Sequence, residues 1–492
     1  MQDLPDELLP LIFKSFAEIQ DRDDPSGRPN TPSEEVKANV KTLASVSKVC
    51  VKWHELVQPI LYSTFRKPAI KHPSVIRSDQ IERFRGNPVA PSQNMNYVLS
   101  PLLRGQNEHT VGGRNEHTVG DRPNQILRLF LRTIIEQPHL ANHIKKLVLG
   151  SWVDVLSFRY GYPHRVVKPE PSLRQTYREA LARLATIRRS PWLDYHVWPT
   201  FVNYVLDGYE GSELALLMYI TPNLTTLHMA QVPVIEEWMV LGEHGLASRV
   251  STIHLGAVDR MEHVQLIHLR TLMMLPHLRH LTFVNCSVDG YSQLPPSRLT
   301  HLSIQRCRIS QHAFGLLMEH ISNLESFEWI GIPYSQYHLD RRWIIHQNVL
   351  TQRVLGFISL QRPTLRDLRI LGDGLGLGRL EQASFRYHDL LGRLTIQGRL
   401  LHEESICLSA QLPRSLRYLE VSHCCYHMMN KLVALVSARA LPTLETIECT
   451  YAPWSVLPSQ HLARYKLVVA ELAKLCAAEG IVFVRPEYWV TP

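Results

Sequence analysis

Cysteine is scarce in this chain, with 8 among 492 residues and no Cys-x-x-Cys pair. That density excludes the disulfide framework on which small secreted domains depend. Long hydrophobic runs are missing too, since no uncharged apolar stretch reaches the ~18 residues that a membrane helix needs. The first residues are acidic (Asp3, Asp6, Glu7) where a secretory leader is basic. No Gly-x-Ser-x-Gly elbow occurs, and the glycine-rich Gly372–Gly378 lacks the Lys-Ser/Thr of a phosphate-binding loop. These absences argue for a cytoplasmic or nuclear protein that is not an enzyme, carries no cofactor and enters no membrane.

What is present describes a folded chain: 45% apolar and 20% charged residues. Its length calls for two or three domains or a repeat array. The net charge of +8 is local. Residues 141–200 hold 10 Lys and Arg against 4 Asp and Glu, whereas residues 201–492 hold 25 of each. The excess centres on Lys145, Lys146 and Arg174 to Arg189, so the large carboxy-terminal region is not a polycation.

The amino-terminal 65 residues carry two helical patterns. Pro5 suits a first helical position, Asp6 and Glu7 complement the helix dipole, and Leu8, Leu9, Ile12, Phe13 and Phe16 form an apolar stripe. After a polar stretch, Thr31-Pro32-Ser33-Glu34 reads as a capping box. From there Val36, Val40, Leu43, Val46, Cys50, Trp53, Val57 and Ile60 recur at steps of three and four. So small a segment buries little surface alone. Leu4-Pro5-x-Glu7-Leu8-Leu9-x-x-Ile12-Phe13, then Leu43, Val46, Cys50 and Trp53, then Leu61-Tyr62, resembles an F-box of the filamentous-fungal type. The resemblance implies that Leu4, Pro5, Leu8, Leu9, Ile12, Phe13, Leu43, Val46, Cys50 and Trp53 dock a Skp-type adaptor. Through it the chain would reach the cullin and RING protein of a ubiquitin ligase.

Residues 66–140 read as a linker. It contains the tandem octapeptide Asn107–Arg114 and Asn115–Arg122, too polar to bury, and then an apolar-periodic helix over Ile126 to Ile135. From about residue 141 a short phrase recurs. Leu278-x-x-Leu281-x-Phe283-x-x-Cys286-x-Val288 is followed by Leu299-x-x-Leu302-x-Ile304-x-x-Cys307-x-Ile309, and Leu416-x-x-Leu419-x-Val421-x-x-Cys424 matches again. Partial copies start at Ile144, Leu224, Val250, Leu324, Leu365, Leu391 and Leu444. The phrase is of the leucine-rich-repeat form, which implies a short strand per unit and helical returns between. The expected fold is therefore an N-terminal helical F-box over residues 1–65, followed by an irregular leucine-rich-repeat α/β solenoid over residues 141–492.

Alternation along each strand sorts side chains into two sets. Cys286, Cys307, Cys424 and Cys449 fall inward as small buried thiols. The outward set includes Thr226, His228, Thr252, His254, Thr282, Ser303, Ser326, Thr395, Gln397, Thr446 and Glu448. It also contains His280, His301, Gln305, Glu328, Asp367, Arg369, Arg393, Tyr418 and Glu420, which are the candidate residues for holding a protein substrate. With two arginines against four carboxylates this face suits a protein rather than a phosphate backbone. One dense cluster of potential metal ligands remains, His423-Cys424-Cys425-Tyr426-His427. On an extended strand His423, Cys425 and His427 would share a face, but no second cluster completes the four ligands of a structural zinc. The expected function is substrate recognition for an SCF-type E3 ubiquitin ligase. The competing reading is a non-ligase scaffold, or a nucleic-acid-associated protein using residues 141–200.

Overall fold

A computed structural model describes residues 62–67, 122–149, 168–187, 197–229, 249–256, 262–289, 294–331, 354–371, 385–401, 407–450 and 459–484. Twelve of its strands form one sheet in which every pairing is parallel. In spatial order they are β1 (Thr64–Lys67), β2 (Lys146–Leu149), β3 (Thr226–Met229), β4 (Thr252–Leu255), β6 (His280–Val284), β8 (His301–Gln305), β10 (Ser326–Ile330), β11 (Asp367–Leu371), β12 (Arg393–Gln397), β13 (Tyr418–Ser422), β14 (Thr446–Cys449) and β15 (Val482–Val484). The skipped numbers are β5 (Glu262–Gln265), β7 (Cys286–Asp289) and β9 (Arg308–Ile309), which make a separate three-stranded parallel sheet.

Register explains why these short strands cohere. Phe65, Leu147, Leu227, Ile253, Leu281, Leu302, Phe327, Leu368, Leu394, Leu419, Ile447 and Phe483 are successive partners across the whole sheet. All but Phe483 are buried, and Phe483 packs against the same core. Two residues along, Leu149, Met229, Leu255, Phe283, Ile304, Trp329, Ile370, Ile396, Val421 and Cys449 make a second buried line. Each such side chain contributes about 1.5–3 kcal/mol when fully removed from water. The burial pattern of β3, β4, β8 and β10 alternates, so the opposite face is left half-exposed.

The expectation of a helical F-box followed by a leucine-rich-repeat solenoid is corrected by this arrangement. The described chain builds a single twelve-stranded all-parallel sheet flanked by helices, and its connections are too unequal to be copies of one unit. Between β1 and β2 run α1 (Arg122–Glu136) and α2 (Pro138–Ala141). Between β2 and β3 stand α3 (Pro171–Ile187), α4 (Val197–Asp207) and α5 (Glu210–Ile220). Later links use α6 (Leu266–Met273), α7 (Gln311–Glu319), α8 (Leu408–Gln411), α9 (Tyr426–Ser437) and α10 (Ser459–Ala478). The recurring phrase records the local alternation of a half-buried strand. It does not record what joins one strand to the next. The adaptor-docking residues from Leu4 to Trp53, the tandem octapeptide up to Asp121 and Gly372–Gly378 lie outside the described residues.

The ends of the strands explain the cysteines. Asn285, Arg306 and His423 each adopt a left-handed backbone, with φ of 51°, 53° and 53°, immediately before Cys286, Cys307 and Cys424. Their turns send the chain away from the large sheet, and the Asn285 and Arg306 amides still bond to Gln305 and Ile330 carbonyls at 2.9 and 2.6 Å. Each thiol then fills the space under its turn. Cys286 Sγ donates toward the Leu255 and Val284 carbonyls, both at 3.4 Å, and Cys307 Sγ toward the Gln305 carbonyl at 3.2 Å. Gly256, the residue after β4, sits at φ +105°, and a Cβ there would lie 1.8 Å from the Val284 carbonyl oxygen. Gly256→Ala should therefore lower unfolding free energy by about 3 kcal/mol, read from the denaturant midpoint at unchanged slope.

The helical block keeps a buried charge. Glu213 of α5 accepts hydrogen bonds through Oε1 from Arg128 Nε of α1 at 2.8 Å and from the Tyr177 hydroxyl of α3 at 3.2 Å. Burial and the Glu213 charge push the Tyr177 phenol far above its ordinary range. Three helices thus converge on one carboxylate. Glu213→Ala strands the Arg128 guanidinium and should cost about 3–5 kcal/mol in equilibrium unfolding. Arg128→Met/Glu213→Leu should recover most of that loss, because no ion is then left without its partner.

Candidate functional site

The half-exposed face of the large sheet carries two registered rows. The first runs Lys146, Thr226, Thr252, His280, His301, Ser326, Asp367, Arg393, Tyr418, Thr446. The second, two residues along, runs His228, His254, Thr282, Ser303, Glu328, Arg369, Thr395, Glu420, Glu448. Parallel pairing without slippage sets these side chains opposite one another on successive strands.

Imidazoles dominate β3 to β8. The His228 and His254 rings stack with centroids 4.1 Å apart, and so do those of His280 and His301. His301 Nδ1 also lies 2.8 Å from the Thr300 hydroxyl. Burial lowers the pKa of His280, and the adjacent His301 lowers it further.

A hydrogen-bonded network of acids, hydroxyls and arginines occupies β8 to β14. Glu328 accepts from the Ser303 hydroxyl, from Gln305 Nε2 at 2.8 Å and from Arg369 Nη1 at 3.0 Å. Thr395 donates to Glu420 at 3.0 Å, and the Tyr418 hydroxyl donates to Glu448. The Arg393 guanidinium lies over the Tyr418 ring, 4.4 Å from its centroid. Burial, then the bond to Glu448, pushes the Tyr418 phenol up to about 12. Burial also raises the Asp367 carboxyl, against the opposing pull of neighbouring Arg393.

All nine candidate substrate residues occupy this one face: His280, His301, Gln305, Glu328, Asp367, Arg369, Arg393, Tyr418 and Glu420. Two residues expected to be outward differ. Thr395 and Gln397 are buried; Thr395 donates to Glu420, and Gln397 Nε2 lies 3.4 Å from His423 Nδ1. Lys146 escaped the sequence reading, although the alternation that placed its partner Thr226 outward applies equally to it. His228, His254 and Glu448 belong with the candidates as well. The shared strand face expected for His423, Cys425 and His427 is corrected, because the strand ends at Ser422. His423 turns the chain, Cys425 caps α9 and His427 lies within that helix. Among the described residues no group of three or more His, Cys, Asp or Glu could hold a metal ion, and no helix is long and apolar enough to cross a membrane.

Comparison with known proteins adds no family: no family model matches the chain, and no curated protein matches it.

The His280–His301 stack has a pH signature. A histidine whose folded pKa is depressed binds fewer protons folded than unfolded. Stability then falls as pH drops from about 6.5 through the folded value, and levels off below it. His301→Asn should raise the His280 midpoint, followed by its ring-proton shift in an NMR titration, and shrink the acid loss of stability.

Proposed function

We propose that this chain is the substrate-recognition subunit of an SCF-type E3 ubiquitin ligase. In this reading the amino-terminal head grips a Skp-type adaptor, and through it the cullin and RING protein. The exposed face of the sheet holds a protein client. Catalysis belongs to the ligase partners, so the work of this chain is positioning, which raises the client's effective concentration beside the charged ubiquitin carrier.

The observation that carries the client-holding part is the two-row polar face itself. Its side chains are half-buried, mutually bonded and close to neutral in sum, a surface suited to a folded or extended protein partner. The adaptor part rests on the Leu4-Pro5-Asp6-Glu7-Leu8 and Cys50-x-x-Trp53 patterns alone. A nucleic-acid role would draw on the basic residues of 141–200. Several of these are engaged within the helices: Lys168 and Arg174 stand 3.9 and 3.7 Å from Asp207, and Arg183 donates to the Ile135 carbonyl at 3.2 Å. The sheet face, with its four carboxylates, would repel a phosphate backbone.

A capture experiment tests the ligase reading. The full-length chain should retain a purified Skp-type adaptor, and Leu4→Ala/Pro5→Ala/Leu8→Ala should reduce retention at least about tenfold, which corresponds to ~1.4 kcal/mol. The thermal midpoint of the sheet should not move. No retention by the unaltered chain defeats the assignment.

A further inference from the structure

The exposed face has two electrical halves. Strands β3, β4, β6 and β8 carry one imidazole each: His228, His254, His280 and His301. Lys146 adjoins them on β2, and Lys145 and Arg279 border them at the amino ends of their strands. Beyond His301 the sign reverses. Glu328, Asp367, Glu420 and Glu448 follow on β10 to β14, the two arginines among them are engaged on the same face, and at the amino ends of these strands Glu325 and Glu445 balance Arg366 and Arg417. Arg369 bonds to Glu328 at 3.0 Å, and Arg393 lies over the Tyr418 ring.

From this segregation we infer that the face takes a charge-segregated protein segment, with its acidic stretch over β3 to β8 and its Lys- or Arg-bearing stretch over β10 to β14. The inference rests on the client-holding part of the proposed function and gives the client's chemistry. Protonation adds a full positive charge to each ring, which attracts a client carboxylate. Two rings stacked at 4.1 Å repel one another when both are charged. A client carboxylate seated beside them offsets that repulsion, so docking of the acidic stretch draws in protons. Affinity must then rise as pH falls through the histidine range. The other half presents carboxylates in place of imidazoles. Among the described residues Lys145, Lys146 and Arg279 flank the imidazoles on one side and Glu328 and Asp367 on the other.

The test uses the full-length chain and two labelled peptides of identical composition. One carries a block of about six Glu, a Gly-Gly spacer and a block of about six Lys, and the other alternates Glu and Lys around the same spacer. Fluorescence anisotropy should show the block peptide binding about tenfold tighter than the alternating one at about pH 6. Its affinity should fall about tenfold on raising the pH to about 7.5. His228→Gln/His254→Gln/His280→Gln/His301→Gln should remove most of that pH dependence, and Glu420→Gln/Glu448→Gln should weaken binding by a similar factor at both pH values. Should the quadruple histidine variant fail to fold, His280→Gln/His301→Gln alone supplies the readout and should halve the pH effect on a logarithmic scale. Equal affinity for the two peptides, an undiminished pH effect in the histidine variants, or tighter binding to a single-stranded DNA oligomer would overturn the inference. Adaptor capture through Leu4, Pro5 and Leu8 is read separately. If capture holds while the block peptide fails, only this client chemistry is lost.

Discussion

Everything described here depends on strict parallel register. A strand of four or five residues buries too little to hold its place alone. Once Leu227 is opposite Ile253, and Ile253 opposite Leu281, every second side chain enters one continuous core. A slip of one residue would exchange the two faces, burying His254 and Thr282 and exposing Ile253 and Leu281. The apolar line therefore does two things at once. It supplies the burial that stabilises the sheet, and it holds the polar rows on the other side in fixed opposition.

The polar rows exist as a surface because of that opposition. His228 meets His254, His280 meets His301, and Glu328 meets Arg369 only because their backbones are paired residue for residue. Such contacts add little stability individually, since they are partly solvated. What they confer is a preset arrangement of charge, with side chains already restrained by their neighbours before a partner arrives. Ordering those chains on binding then costs less entropy.

Turn chemistry at the strand ends serves the same constraint. Asn285, Arg306 and His423 take the left-handed conformation, and the cysteine after each is small enough to pack under the turn. Two strands of the second, three-stranded sheet follow the Asn285 and Arg306 turns, so β7 and β9 start where β6 and β8 have just ended. In the helical block a different device appears, a single carboxylate shared by Arg128 and Tyr177. It ties α1, α3 and α5 together by charge where the sheet is tied by apolar burial.

The strand positions, their inward and outward faces and the burial of Cys286, Cys307, Cys424 and Cys449 were legible in the sequence. Each follows from a period of two read over a few residues. The face of the candidate site was legible for the same reason, and Lys146 was recoverable by the same rule. The pattern could not say how the strands are joined. An expected solenoid of repeating units proved to be one twelve-stranded sheet with dissimilar connections, because a local period carries no information on what lies between its occurrences. Nor could it foresee that His423 would turn the chain and dissolve an apparent ligand row, since a left-handed residue is chosen by the packing around it. The stacked imidazoles, the Arg393–Tyr418 contact and the Glu213 junction join residues from 21 to 85 positions apart in the chain. Only the tertiary structure brings them together, because contact at that separation is set by register and helix packing rather than by neighbouring sequence.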